Sequence, residues 1–447
     1  MIDGNTLIAW GFKPGKLFKP MMETANAMRS GGATDDAIFA ALQSMVPVEM
    51  TMRTNGKPFS VAMAVPETQH ERDNAEAVMR HMDALMRVPT IEAGAVMPDA
   101  CPAGMQEGTI PVGGVVATRD AIHPGFHSAD ICCSVAISVF DRNDDPKHVL
   151  DMVQNVTHFG PGGRKSAWGL PTPLAGRIVA NRFTAGLEGT ADHHFGTQGD
   201  GNHFAFLGHL KSSGKLALVT HHGSRGFGAQ LYKRGMAAAR RHTSIVAPKV
   251  PSHQAWIKAD SDDGRAYWEA LQIARDWTKA NHFAIHQRVQ QAIGNKVVDR
   301  WWNEHNFVFQ KSDGLFYHGK GATPSWSGFS PDDSGLTLIP LNMAAPVLIA
   351  KHRDNKQALG FAPHGAGRLM GRKAFLRQYQ PALPVGIDYR FYCGKPDLSE
   401  LPDAYKPADQ IKALIGSFEL ADVVDEVLPY GSIMAGDWEQ DAPWRKK

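Results

Sequence analysis

Between Ala95 and Phe140, glycine-rich turns separate short β-branched runs, notably Val112–Thr118 and Ser134–Phe140. No other feature restricts the fold as much. Such runs, bounded by glycine, read as strands of a buried or half-buried sheet. Segments with helical apolar spacing stand on both sides. Met21–Met45 and Glu71–Met86 come before, and Pro146–Val156, Ala229–His242, Ala266–Ile293, Lys373–Gln378 and Ala408–Ile415 after. Further short strands are expected at Val48–Thr54, Phe59–Ala64, Phe204–Leu207, Leu216–Thr220, Phe307–Phe309, Leu315–His318, Leu336–Leu341 and Val347–Lys351. With no repeat, low-complexity tract or clear linker, the expected class is α+β (mixed α/β), built as one large body. A 447-residue chain that is 43% hydrophobic and 21% charged has ample apolar mass for that core.

A net charge of +2 excludes a globally basic protein, so any nucleic-acid contact must come from a local patch. Four cysteines are too few for a disulfide framework at this length. The adjacent pair Cys132-Cys133 argues for a reducing compartment and a metal or structural role. The opening MIDGNTLIAWGFKPGK lacks the apolar core of a signal peptide, and no apolar run reaches membrane-spanning length. A cytoplasmic protein with no membrane partner is expected.

The chemistry-bearing residues fall into two sets. The first is Pro363-His364-Gly365-Ala366-Gly367-Arg368. Its small residues allow a bulky anion to approach, Arg368 offers a fork of donors that matches phosphate, and an imidazole is a competent nucleophile. Alone, the run also reads as a loop histidine bonded to backbone. The second set is metal-like: Asp130 and Cys133 in Asp130-Ile131-Cys132-Cys133, with His203, His221 and His305 further along. Asp130 and Cys133 face one ion if the chain turns between them. Carboxylate, thiolate and imidazoles together make a transition-metal shell, and by ligand softness zinc or iron ranks ahead of manganese. For each histidine taken singly, a satisfied core or loop position is the simpler reading, and no CxxC or HExxH pattern is present. Gly196–Asn202 is a candidate phosphate cradle, and Gly223-Ser224-Arg225-Gly226 repeats the theme at an expected helix start.

Taken in order, these runs resemble the RtcB family of RNA ligases. The resemblance rests on Ala95-Val96-Met97-Pro98-Asp99, Asp130-Ile131-Cys132-Cys133, Gly201-Asn202-His203-Phe204, His221-His222-Gly223-Ser224-Arg225-Gly226, His305-Asn306, Lys320-Gly321-Ala322, His364-Gly365-Ala366-Gly367-Arg368 and Ala404-Tyr405-Lys406. It implies a catalytic domain over 91–447 with central β-sheets flanked by helices, and a divergent N-terminal α/β region over 1–90. It also implies joining of RNA ends bearing a 2′,3′-cyclic phosphate or 3′-phosphate to 5′-hydroxyl ends, with GTP and two manganese ions (Mn2+). His364 becomes the guanylylated nucleophile. Cys133 bridges the ions, with Asp130 and His203 on one and His221 and His305 on the other. Asn202, Gly365, Ala366, Gly367, Arg368, Asn342 and Tyr405 join His364 in holding the nucleotide. An activating protein partner remains open.

The chain departs from the family at informative places. Asp-x-Gly-Cys-Gly becomes Asp130-Ile131-Cys132-Cys133-Ser134, and a His-Leu-Gly-Lys-Gly type run becomes Ala100-Cys101-Pro102-Ala103-Gly104-Met105. Pro-Gly-Ser-Met-Gly becomes Pro340-Leu341-Asn342-Met343-Ala344. Phe206 stands where the family has a glutamate that pairs with guanine, and Met434 ends the run that resembles Gly-x-x-Lys. The expectation is an intact catalytic core with altered base selectivity. Two other readings stand beside ligation: a metal-dependent cyclic phosphodiesterase or nucleotidyltransferase without ligation, and a non-catalytic RNA-end binder. Arg164, Lys165, Arg225, Lys320 and Arg372 are the basic candidates for RNA contact. The run Phe12–Lys19 reads either as a stacking platform for single-stranded RNA or as an ordinary loop packed by Phe12 and Phe18.

Overall fold

The computed structural model describes residues 1–104, 106–164 and 166–439. Met105, Lys165 and the tail beyond residue 439 lie outside the described residues, so the expected RNA contact at Lys165 has no structural counterpart here.

Two sheets carry the molecule, and the class is α+β. Across the larger sheet the strand order is Val297–Glu304, Ser134–Phe140, Leu216–His222, Phe204–Leu210, Ala421–Met434, Val347–His352 and Leu336–Pro340. Every neighbouring pair in that order is antiparallel, and Asp388–Phe391 adds to the Ala421 strand in parallel. The smaller sheet orders Ser60–Val61, Ile91–Cys101, Val112–Thr118, Phe316–Lys320 and Asn306–Gln310. Alternation sorts the side chains to two faces. Val135, Ile137 and Val139 meet Phe206, Val219 and Val427 in one apolar cluster. Ala136 joins Leu231, Leu271 and Trp277 in another, formed with the helices Arg225–Val246 and Asp262–Ile293.

The strands Val112–Thr118 and Ser134–Phe140 and the helix Pro146–Val156 fall at their expected bounds. Helix Gln69–Leu85 is fixed by a capping box of Thr68 and Glu71. It packs Val78, Met82 and Leu85 against Val96 and Val116 of the smaller sheet. The apolar spacing over Met21–Met45 resolves into two helices, Phe18–Ser30 and Asp35–Met45, broken at Gly31-Gly32 and restarted by the Thr34 cap. Together with Gly4–Ala9 they enclose their own cluster of Leu7, Met21, Ile38 and Leu42. Phe12 and Phe18 pack against it, which favours the ordinary-loop reading of Phe12–Lys19.

Some expectations fail. Val48–Thr54 is not a strand. The Met50 N–H donates to the Val246 carbonyl, and the Arg53 guanidinium binds the carbonyls of Val88, Pro89 and Ile91, so long-range bonds replace a ladder. In Phe59–Ala64 only Ser60–Val61 is paired. The strands Val297–Glu304 and Ala421–Met434 were not anticipated. No helix among the described residues is long and apolar enough to cross a membrane.

A buried polar ladder ties the larger sheet to helix Asp262–Ile293. Thr220 Oγ1 lies 2.7 Å from both His282 Nδ1 and His286 Nε2. Ser134 Oγ reaches His282 Nε2 at 3.0 Å, and Ser138 Oγ reaches His286 Nδ1 at 2.8 Å. One hydroxyl has to donate to one ring and accept from the other. Thr220→Val keeps the shape and strands both nitrogens. We expect a loss of about 1–3 kcal/mol, read as a lowered denaturant midpoint with unchanged slope. An unchanged midpoint would show that the ladder does not hold the helix to the sheet.

Candidate active site

Four neighbouring strands of the larger sheet end at the same place. Cys133 precedes Ser134–Phe140, and His203 precedes Phe204–Leu210. His221 is the penultimate residue of Leu216–His222, and His305 follows Val297–Glu304. Ser134 sits opposite both His222 and Glu304, and Phe204 opposite His221, so the register gathers these side chains at one end of the sheet. Alternation also splits the adjacent histidines. His221 turns toward Cys133, whereas His222 stacks on His282 of the long helix at 3.5 Å between ring centroids.

Asp130 joins through the expected turn. Cys132 adopts φ 57, and its N–H donates to the Asn306 carbonyl at 2.7 Å. This is the position at which the resembled pattern carries a glycine. A side chain in the left-handed region costs about 1–2 kcal/mol.

The donor atoms converge in two groups that share Cys133. Cys133, His221 and His305 form one, and Asp130, Cys133 and His203 the other, with the ligand atoms of each within 4.8 Å of one another. Cys133 Sγ lies 3.1 Å from His221 Nε2 and 3.5 Å from His203 Nε2. His203 Nε2 is 3.1 Å from Asp130 Oδ2, and His221 Nε2 is 3.2 Å from His305 Nε2. His221 Nδ1 donates to the Asn202 carbonyl at 3.0 Å, which leaves a lone pair on the inward Nε2. Burial, reinforced by His203, pushes His221 down to about 3, and burial holds His305 well below the usual imidazole range. Both are therefore neutral, the ligating form. Burial would raise the Asp130 carboxyl, but the charge and hydrogen bond of His203 prevail and hold it at about 2. Inward lone pairs on neutral imidazoles, beside a thiol and an ionised carboxylate, fit a transition-metal pair.

His364 follows the short strand Phe361–Pro363 and faces the same space, its ring 4.9 Å from that of His305. Its Nδ1 lies 2.6 Å from Oδ2 of the fully buried Asp99, which also accepts the His364 backbone N–H at 3.2 Å. The carboxylate keeps the proton on Nδ1 and leaves Nε2 with its lone pair. Gly367 has a role that the sequence reading did not assign. At φ 72, a Cβ there would fall 1.9 Å from the Asp99 carbonyl oxygen, so this glycine lets the His364 loop close onto Asp99.

A cavity of about 420 Å³ brings the two sets together. Asn202, Asn342, Gly365, Ala366, Gly367, Arg368 and Tyr405 line it with His364, and so do Asp130, Cys133, His221 and His305. His203 touches it only through Asp130 and Cys133. Asn342 Oδ1 accepts the N–H groups of Ala344 and Ala345, leaving its amide N–H donors. Arg368 is not an open fork. Nη2 donates to the Ser399 carbonyl at 2.7 Å and Nη1 to Glu400 at 3.3 Å. The Glu400 side chain is wholly buried, and it also accepts from Arg372 at 2.6–2.7 Å and from the Tyr405 hydroxyl. Sequence reasoning missed Asp99 and Glu400 as site residues. The one signal for Asp99 was its place at the end of the Met97-Pro98-Asp99 run.

Of the basic candidates, Lys320 and Arg372 line the cavity. Burial brings Lys320 down to about 8. Arg225 is directed to Thr197 Oγ1 and the Gly160 carbonyl, and Arg164 stacks on Trp168 at 4.3 Å, so neither lines the cavity. The Gly196–Asn202 run is not an open cradle at its start, because the Gly196 N–H donates to Asn281 Oδ1.

Fold and site together define a class: an α+β protein in which paired metal-type donor sets share one cavity with an aspartate-held histidine. The chain belongs to the RtcB family: the family model described as "tRNA-splicing ligase RtcB" matches residues 177–435. It is similar to the tRNA-splicing ligase RtcB of Thermococcus kodakarensis, with 28% identity over 283 residues, 53% of this chain and 58% of that protein. The chain thus aligns with less than two thirds of that relative. It is also similar to the RNA-splicing ligase RtcB of Escherichia coli K12, with 25% identity over 357 residues, 71% of this chain and 85% of that one. The tRNA-splicing ligase RtcB of Aeropyrum pernix is 24% identical over 421 residues, 75% and 86% of the two chains.

Proposed function

We propose that the protein is a cytoplasmic RNA ligase that joins 2′,3′-cyclic phosphate or 3′-phosphate ends to 5′-hydroxyl ends through a nucleotidyl-His364. The observation that carries this reading is the 2.6 Å contact of His364 Nδ1 with buried Asp99, made in the cavity that also holds Asp130, Cys133, His221 and His305. Asp99 fixes the tautomer, so His364 Nε2 is free to form a bond to the α-phosphorus of a nucleoside triphosphate as pyrophosphate leaves. An oxygen of the RNA 3′-phosphate then takes the nucleotidyl group and restores His364. The 5′-hydroxyl oxygen bonds to the RNA phosphorus, loses its proton and expels the nucleoside monophosphate. A cyclic end is opened by water before this sequence starts. Asp130, Cys133 and His203, and Cys133, His221 and His305, would hold two manganese ions, which would supply Lewis-acid activation and charge neutralisation. Asn202, Asn342 and Lys320, which line the same cavity, offer donors to phosphate oxygens. GTP is the donor that the resemblance implies.

The test uses RNA with defined ends, manganese and nucleoside triphosphate. The expected product is a joined strand that resists phosphatase, formed from cyclic-phosphate and 5′-hydroxyl partners. Conversion of the cyclic end to a 3′-phosphate without joining would instead assign the phosphodiesterase reading. Binding of the ends without any conversion would assign the non-catalytic one.

A further inference from the structure

We infer that the apolar end of the cavity takes adenine in preference to guanine, so that ATP is the better nucleotidyl donor. The inference rests on the proposed reading of His364. A nucleotide with its α-phosphorus at His364 has its base within the same cavity, and the wall remote in character from the metal-type donors is apolar. Phe206, Met343, Val347 and Met434 line it. Phe206 is 1% exposed and Met434 5%. Their places follow from the sheet: Phe206 pairs with Ser432, and Phe204 with Met434, across neighbouring antiparallel strands.

Guanine presents two adjacent donors and an acceptor along one edge, and two adjacent donors call for a carboxylate. Of the described residues that line the cavity, two are acidic, Asp130 and Glu400. Asp130 is held by His203 in the metal-type group. Glu400 is saturated by Arg368, Arg372 and Tyr405. What the apolar wall does offer is the Ser432 hydroxyl, which lines the cavity, is 1% exposed and has no partner among the described residues. Tyr389, its neighbour in the parallel pairing, also has a buried hydroxyl without a partner among the described residues. A hydroxyl donates or accepts, which suits adenine with its single donor group and single acceptor on that edge. Guanine would leave at least one donor unpaired among Phe206, Met343 and Met434, a loss of about tenfold in affinity.

Equilibrium binding of ATP and of GTP to the full chain with manganese is measured by calorimetry. Label transfer from each α-³²P triphosphate runs in parallel. We expect ATP to bind about tenfold tighter than GTP and to label faster. Ser432→Ala should weaken ATP by about tenfold, and Phe206→Glu should turn the order toward GTP. Equal or tighter GTP binding by the wild-type chain, or no binding of either nucleotide, would overturn the inference even if the glutamate variant does not fold. Tighter ATP binding without label on the protein would leave the adenine preference of the cavity standing and bring down the nucleotidyl-histidine reading, and with it ATP's part as nucleotidyl donor.

Discussion

His364→Ala removes all label transfer from an α-³²P triphosphate, and RNA joining falls by at least about 10⁴-fold, the scale seen when a covalent nucleophile is deleted. The side chain is partly buried, 2.6 Å from Asp99 and with its ring 4.9 Å from that of His305, so thermal midpoint and metal content of the variant are measured beside its activity. Asp99→Asn gives the finer result. An amide can donate to His364 Nδ1 and thereby move the imidazole proton to Nε2, where it blocks attack. A loss of about 10²–10⁴-fold is expected, with nucleotide affinity little changed, because Asp99 acts through the histidine. The step most affected should be formation of the labelled protein. Persistent label on His364→Ala would place the nucleophile elsewhere and remove the central residue of the proposed function.

The limits of the sequence reading follow from what each segment exposes. Val112–Thr118 and Ser134–Phe140 could be read to the residue because β-branched runs end at glycine or at a charged turn. Ala421–Met434 could not, since Asp422, Asp425, Glu426, Pro429 and Gly431 break any alternation. Its pairing is set instead by two long neighbours, Phe204–Leu210 and Val347–His352. That strand also carries Ser432 and Met434; the resemblance pointed to Met434, whereas the Ser432 hydroxyl gave no signal in the sequence. The metal-type histidines carried no spacing signature of their own. They meet because sheet order brings strands from distant parts of the chain together, and the resemblance rather than periodicity grouped them. Asp99 lies 265 residues from His364 and Glu400 reaches back to Arg368 from the far side of a helix, contacts that no local pattern encodes.

Cys133→Ala and His305→Ala should separate the two metal positions. Cys133 belongs to both donor groups, whereas His305 belongs to one. Loss of His305 is expected to leave the Asp130–Cys133–His203 group loaded, so dialysed protein keeps about half the manganese of the wild type. Loss of Cys133 strips a ligand from both, and each affinity falls by more than the roughly 10–100-fold typical of an outer-shell partner. Metal content by mass spectrometry reads the difference directly. Thermal midpoints without metal should move little, because Cys133 is small and its sulfur has polar neighbours rather than an apolar cavity to fill. Equal metal content in the two variants would mean that Cys133 is not shared. Full content in both would mean that the ion pair lies elsewhere. Because the proposed joining needs charge neutralised beside His364, whose ring is 4.9 Å from that of His305, the His305 variant should lose ligation even while one ion remains.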